Sequence, residues 1–452
     1  MARRVREAVA PLYLVLCLLL GGSAQGVWAN MLLQLLGIAI LAWAALAASD
    51  EPLTRRQRWL GACIVAALGV AALQLVPLPP ALWEDLGGRA AIAEGYRALG
   101  IPAPWLPISL APYQSAATLL TLIPPLALLA AMWRLGARRR WLAVALLAGT
   151  LLGILVGALQ VSSADPETSP WYFYSRTNYG VATGFFANAN HMATLLIASL
   201  PFLAALLASA RGGGRNVQRY SAAFALVAGA ALVIVVGIAI NGSLAGYGLA
   251  VPVAAGSVLV FLRRGNRSAR WPLAGAAILL VGAAAALAFT PIGGAAAGSA
   301  SSRQEIYATS ASAALDLMPV GSGLGTFRQA YALYEDHERL DPSAVVNHAH
   351  NDYLELLLET GIPGLVVLLL FLGWWAMASW RAWSSPERDP FARAAVVASA
   401  AILAHSLVDF PLRTAAISAV FAMSIALIAP TRRRAPASDE SSLWPTRHVV
   451  VS

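Results

Sequence analysis

Residues 348–355 read His-Ala-His-Asn-Asp-Tyr-Leu-Glu and run directly into an apolar helical pattern. An imidazole takes or gives a proton near neutral pH. A helix start presents free backbone amides and the positive end of the helix dipole, a natural seat for phosphate or diphosphate. His350 is therefore the candidate general base, with His348 and Asn351 beside it. Asp352 and Glu355 fit a capping box in which Asp352 caps and Glu355 reaches back, a structural role that by itself accounts for both acids. The His-X-His pair lacks further ligands at the spacings of a zinc site, so neither metal nor cofactor is expected.

Other candidates are scattered along the chain. Gly-Phe-Phe-Ala-Asn-Ala-Asn-His at 184–191 opens another apolar helix. There Asn188 or Asn190 suits a cap, and His191 suits either packing or the site. Arg176 and Arg303 lie in polar segments, and guanidinium grips phosphate bidentately. Solvation alone accounts for either one, and Arg328 and Arg339 offer the same chemistry. His405 and Asp409 are four residues apart on one helix face, placed to bond each other or to orient a diphosphate. Gly-Ser-Gly-Leu-Gly at 321–325 lacks the spacing and strand context of a nucleotide loop and reads as a tight turn. Gly361-Ile-Pro-Gly364 separates a short interfacial helix from the apolar run that follows.

The elements that must hold these residues are set by composition. The 452-residue chain is 59% hydrophobic and 12% charged, with a mean hydropathy of +0.67. Long uncharged runs of this kind are transmembrane helices. Twelve segments are long enough, near 8–22, 31–48, 59–76, 114–133, 141–160, 190–210, 220–240, 244–262, 271–290, 361–380, 394–411 and 413–430. The expected fold is an all-α integral membrane protein of about 12 transmembrane helices. It forms a single polytopic domain over 1–430, with a polar cytoplasmic tail at 431–452.

Threading these spans puts 24 of the 31 arginines on one side and seven on the other. The positive-inside rule makes the arginine-rich side cytoplasmic, with both termini there. The net charge of +9 is then a topology signal, and nucleic acid is not a partner. The opposite, outer side carries 77–113, 161–189 and 291–360, the last a large, partly helical loop between spans 9 and 10. Five of the six histidines (His191, His337, His348, His350 and His405) fall at or beyond that face. The basic start and apolar core of the first segment resemble a signal peptide, but eleven further spans make it a retained helix. Cys17 and Cys63 lie within spans and suit packing rather than a disulfide. Charges are nearly absent at mid-depth, and no inverted repeat is seen, which argues against an ion-coupled transporter.

Taken in order, TGFFANANHMATLL, SRQEIY with LMPVGSGLGTF, HAHNDYLELLLETGIPGL and HSLVDFPL resemble the O-antigen ligase and polymerase superfamily of bacterial membrane proteins. The likeness covers about 184–412; the first 150 residues match only in hydropathy. One stretch departs from it: Asn241-Gly-Ser-Leu-Ala-Gly246 has Leu244 where relatives carry arginine.

The resemblance implies an inner-membrane enzyme with a periplasmic site. It would transfer a glycan from an undecaprenyl-diphosphate carrier to a lipid- or glycan-linked acceptor, without nucleotide or metal. His350 would be catalytic, and Arg303 and Arg176 would bind the diphosphate. His348, Asn351, Asn190, His191 and His405 would shape the substrate site, with membrane lipid around them. A ligase joining a finished chain to lipid A core is the first reading. A polymerase is the alternative and a protein oligosaccharyltransferase a more distant one. A flippase would need a polar path across the midplane that these spans do not offer.

Overall fold

The computed structural model describes residues 2–24, 27–47, 52–211, 217–262, 291–335 and 346–430. The expected span 271–290, the tail 431–452, His337 and Arg339 lie outside the described residues. The regular secondary structure among the described residues is helical, apart from one two-residue antiparallel ladder pairing Pro77–Leu78 with Leu106–Pro107.

The first half comprises α1 (Ala2–Leu20), α2 (Trp28–Leu46), α3 (Arg55–Leu73), the short α4 (Pro80–Trp83) and α5 (Ala90–Ala98). It continues with α6 (Pro112–Thr121), α7 (Ile123–Ala130), a π-helical turn at Ala131–Leu135, and α8 (Arg139–Val161). The second half comprises α9 (Ala189–Arg211), α10 (Val217–Asn241), α11 (Leu244–Phe261), α12 (Pro291–Asp316), α13 (Phe327–Ala332), α14 (Asp352–Ser384), α15 (Pro390–His405) and α16 (Ala415–Ile428).

Eight helices among the described residues are long and apolar enough to cross a membrane. They are α2, α3, the run Pro112–Leu135, α8, α9, Tyr220–Asn241 of α10, α11 and α14. α15 and α16 are apolar but shorter. α1 starts with Arg3, Arg4, Arg6 and Glu7 before its apolar stretch. In a bilayer, a helix satisfies all its own backbone groups, so such sequences have little alternative.

α9 is the axis of the second half and packs against α8, α10, α11 and α15. Its buried side chains, among them Met192, Leu196, Ile197 and Phe202, join one core with those of α1, α8, α15 and α16. A smaller core forms where α12, α13 and the start of α14 meet, around Ala313, Leu317, Phe327, Tyr331 and Leu358.

α14 is two helices joined at a kink. Gly361 has φ 59° and ψ −148°, outside helical values. A side chain there would run into the backbone of Pro319 and Val320. Backbone on the far side of the kink, Ile362, donates to the Pro319 carbonyl at 2.9 Å. Gly361 is thus required twice, by its positive φ and by the close approach. The break expected at 361–364 falls at its first residue.

Candidate functional site

The site gathers where the N-terminus of α14 meets the turn between α15 and α16. Asn351, in extended backbone, caps α14: its side chain accepts from the amides of Tyr353 at 3.0 Å and Leu354 at 3.1 Å. The capping-box reading is therefore one residue out of register. Asp352 is already inside the helix, and Glu355 turns away from the cap. Glu355 instead accepts from the Ala349 amide at 3.0 Å and sits 2.9 Å from His348 Nδ1.

Three carboxylates on one side of α14 surround a single arginine. The Arg413 guanidinium lies 3.0 Å from Glu359, 3.3 Å from Glu355 and 3.7 Å from Asp352. Glu355 and Glu359 are fully buried. Acids at 352, 355 and 359 follow the i, i+3, i+7 spacing of one helix face, so one cation reaches all three. Glu359 also accepts from the Phe327 amide at 3.3 Å. Its backbone carbonyl takes bonds from Gln74 Nε2 at 2.8 Å and the Gly323 amide at 2.8 Å. The Gly321–Gly325 turn is locked onto α14 in this way, with its Ser322 amide on the Leu358 carbonyl. These amides are already committed, which agrees with a tight turn rather than a phosphate loop.

His350 has φ 50°, a left-handed conformation rare for a residue with a side chain. Such a conformation costs about 1–2 kcal/mol. Two bonds hold it: Tyr307 donates its hydroxyl to the His350 carbonyl at 2.9 Å, and Nδ1 lies 3.3 Å from Asp409 Oδ1. Asp409 is fully buried, while the His350 side chain remains 27% exposed. A carboxylate only accepts, so Nδ1 donates its proton to Asp409, and Nε2 has no partner among the described residues. Phe410 is the post around which the rings stand. His348 stacks on it at 4.0 Å, and His350 and His191 meet its edges at 5.1 and 4.9 Å.

Arg303 lies one turn before Tyr307 on α12. It makes no hydrogen bond or ion pair among the described residues, but its charge acts on both Tyr307 and His405. Burial pushes the Tyr307 phenol above its ordinary value; Arg303 opposes this and Asp409 adds to it. Arg303, Tyr307, His350 and Asp409 thus form one neighbourhood.

The other expected residues are placed differently. His405 is buried, with Nδ1 2.8 Å from Thr194 Oγ1. The Asp409 amide still donates to the His405 carbonyl at 3.0 Å, but the two side chains do not bond each other: His405 bonds Thr194 and Asp409 meets His350. His191 is 2% exposed, and neither ring nitrogen has a partner. Asn190 accepts from Ser243 at 2.7 Å, and it is Asn188 that caps α9 by accepting from the Asn190 amide at 2.8 Å. Arg176 is exposed on its loop, and no hydrogen bond or ion pair ties it to His191, His348, His350 or His405 among the described residues. Asn241 spans two backbone segments, donating to the Ala182 and Ala189 carbonyls, and Leu244 begins α11.

Sequence reasoning did not single out Arg413, Tyr307, Phe410 or the Asp409–His350 pairing. Three acids in a helix otherwise poor in charge were the one available signal that a cation must face them. Among the described residues no set of three or more His, Cys, Asp and Glu side chains is placed to hold a metal ion.

Beneath the carboxylate network lies an apolar cavity of about 400 Å³. Leu60, Ala67, Leu126, Thr360, Val367 and Phe421 are among its walls, so it runs between α3, α7, α14 and α16.

These features describe a helical membrane protein with a histidine–aspartate pair and an uncommitted arginine at one end of its bundle. Residues 229–369 match the family model described as O-antigen ligase. The matched stretch contains Arg303, Tyr307, His348 and His350 and stops short of Asp409 and Arg413. No curated protein matches the chain.

Proposed function

We propose that the protein transfers a glycan from a polyprenyl-diphosphate carrier to an acceptor hydroxyl, on the periplasmic side of the bacterial inner membrane. The observation that carries this reading is His350, held by buried Asp409 through Nδ1 and left with Nε2 free, within a segment that matches the O-antigen ligase family.

In this reading the acceptor oxygen attacks the anomeric carbon of the donor sugar. The bond from that carbon to the diphosphate oxygen breaks, and the electron pair leaves with the diphosphate. The proton of the acceptor hydroxyl passes to His350 Nε2, and Asp409 balances the imidazolium that forms. Arg303 neutralises the charge that grows on the leaving diphosphate. The leaving group is already activated, so positioning supplies much of what remains. The apolar cavity below takes part of the isoprenoid chain, placing the diphosphate at the membrane surface under the histidine.

The test is the carrier-linked glycan of cells lacking the protein or carrying His350→Ala. Full-length chains retained on the carrier identify a ligase, and single repeat units identify a polymerase. His350→Ala should abolish transfer while the protein remains folded in the membrane. Full transfer by that variant would remove His350 from the mechanism.

A further inference from the structure

Most buried charged side chains among the described residues have a polar partner. Glu7 pairs with Arg3 and Arg138, Glu355 and Glu359 pair with Arg413, and Asp409 pairs with His350. Arg393 donates to the carbonyls of Ala382 and Trp383. Arg89 is only 3% exposed, yet its Nη2 is buried with no acceptor. No hydrogen bond or ion pair reaches its guanidinium among the described residues. Burial pushes its pKa down, with no opposing charge among the described residues. Arginine does not shed its proton in proteins, so this cation calls for an anion.

Its place in the fold narrows the choice. Arg89 immediately precedes α5, whose first turn holds no acid. The two residues before it, Gly87 and Gly88, press against the Asp316 carbonyl, the Leu317 side chain and the Tyr334 hydroxyl. Arg89 therefore sits at the C-terminal end of α12, the helix that carries Arg303 and Tyr307. From Arg303 to Asp316 the helix rises about 20 Å at about 1.5 Å per residue. One small ligand cannot touch both arginines, but an extended saccharide can.

We propose that Arg89 forms a second anion site, which takes a phosphate or carboxylate group of a glycan whose reacting end lies at His350. The link to His350 rests on the transferase reading above; anion binding at Arg89 does not. The guanidinium fork favours a planar or tetrahedral oxyanion bound through two oxygens.

The competing account is structural: Arg89 would merely face the negative end of the α12 dipole. The two accounts predict opposite signs for Arg89→Met. If Arg89 awaits a ligand, removing an unmatched buried cation raises the melting temperature of the ligand-free protein. If it serves α12, the melting temperature falls.

The experiment is calorimetric titration of the full-length protein in detergent with inorganic phosphate and, separately, with glucuronate. Wild type should bind at least one of them, and the stronger identifies the class of group. Arg89→Met should bind at least tenfold more weakly, and Arg303→Gln should leave that component in place. A rise in KM for the acceptor alone, or for the donor alone, then tells which glycan carries the anion.

No binding by wild type, or wild-type affinity in Arg89→Met, overturns the proposal. Should Arg89→Met fail to accumulate, Arg89→Lys keeps the charge without the fork; unchanged affinity in that variant also overturns it. Anion binding that depends on Arg89 in a protein without transfer activity would sink the transferase reading and leave this site standing.

Discussion

His350 gains its character from residues distant in sequence. Asp409 is 59 positions away and Tyr307 is 43, and each meets it only because α12, α14 and the turn after α15 converge. Asp409→Asn preserves shape but removes the charge that steadies the imidazolium. The expected fall in kcat is about 10²–10⁴-fold, the usual span of general acid–base assistance, with little change in melting temperature. Retained kcat in that variant would make the contact a packing detail. The histidine itself was legible in the sequence, because a basic side chain before a helix start in an apolar chain has few other uses. Its partner was not: Asp409 read as the helical neighbour of His405, whereas the structure gives His405 to Thr194 and turns Asp409 to His350. Tyr307 gave no sign, since one tyrosine on a polar helix looks like any other.

The first half of α14 is held on two sides, by Arg413 across its acidic face and by the kink at Gly361. The kink was legible from Gly-Ile-Pro-Gly, whereas the acidic face was hidden behind a plausible capping box. Only the structure moves the cap to Asn351 and frees Glu355 for His348 and Arg413. Removing one partner of a buried ionic group leaves the others uncompensated, so Arg413→Ala should destabilise the protein by about 3–5 kcal/mol. Thermal melting in detergent reads this directly, and an unchanged transition would mean that water replaces the guanidinium at no cost. Gly361→Ala should also lower the melting point, because a side chain in this glycine-only backbone region costs about 1–3 kcal/mol before its clash with Pro319 is counted. A variant as stable as wild type would show that the Pro319 turn yields freely.

Across the whole molecule, polarity and apolarity meet at one level. The carboxylate network, the histidines and Arg303 stand at one end of the bundle, and the apolar cavity begins within a turn of Glu359, at Leu356 and Thr360. A lipid-linked diphosphate has the same division, a charged head on a hydrocarbon chain, and it would lie across this boundary with its head beside His350. Ala67 tests the match. It lines the cavity from α3 and is exposed on its other side, so a large ring enters there without repacking the core. Ala67→Trp should raise KM for a long-chain donor roughly tenfold, equivalent to about 1.4 kcal/mol of lost binding. That loss equals burial of about two methylene groups at about 0.8 kcal/mol each. A donor analogue with a chain too short to reach Ala67 should show no change in KM. If both donors weaken equally, the ring has distorted the head-group site; if neither does, the isoprenoid runs elsewhere and the cavity is a packing gap, which the tryptophan would then fill with a rise in melting temperature.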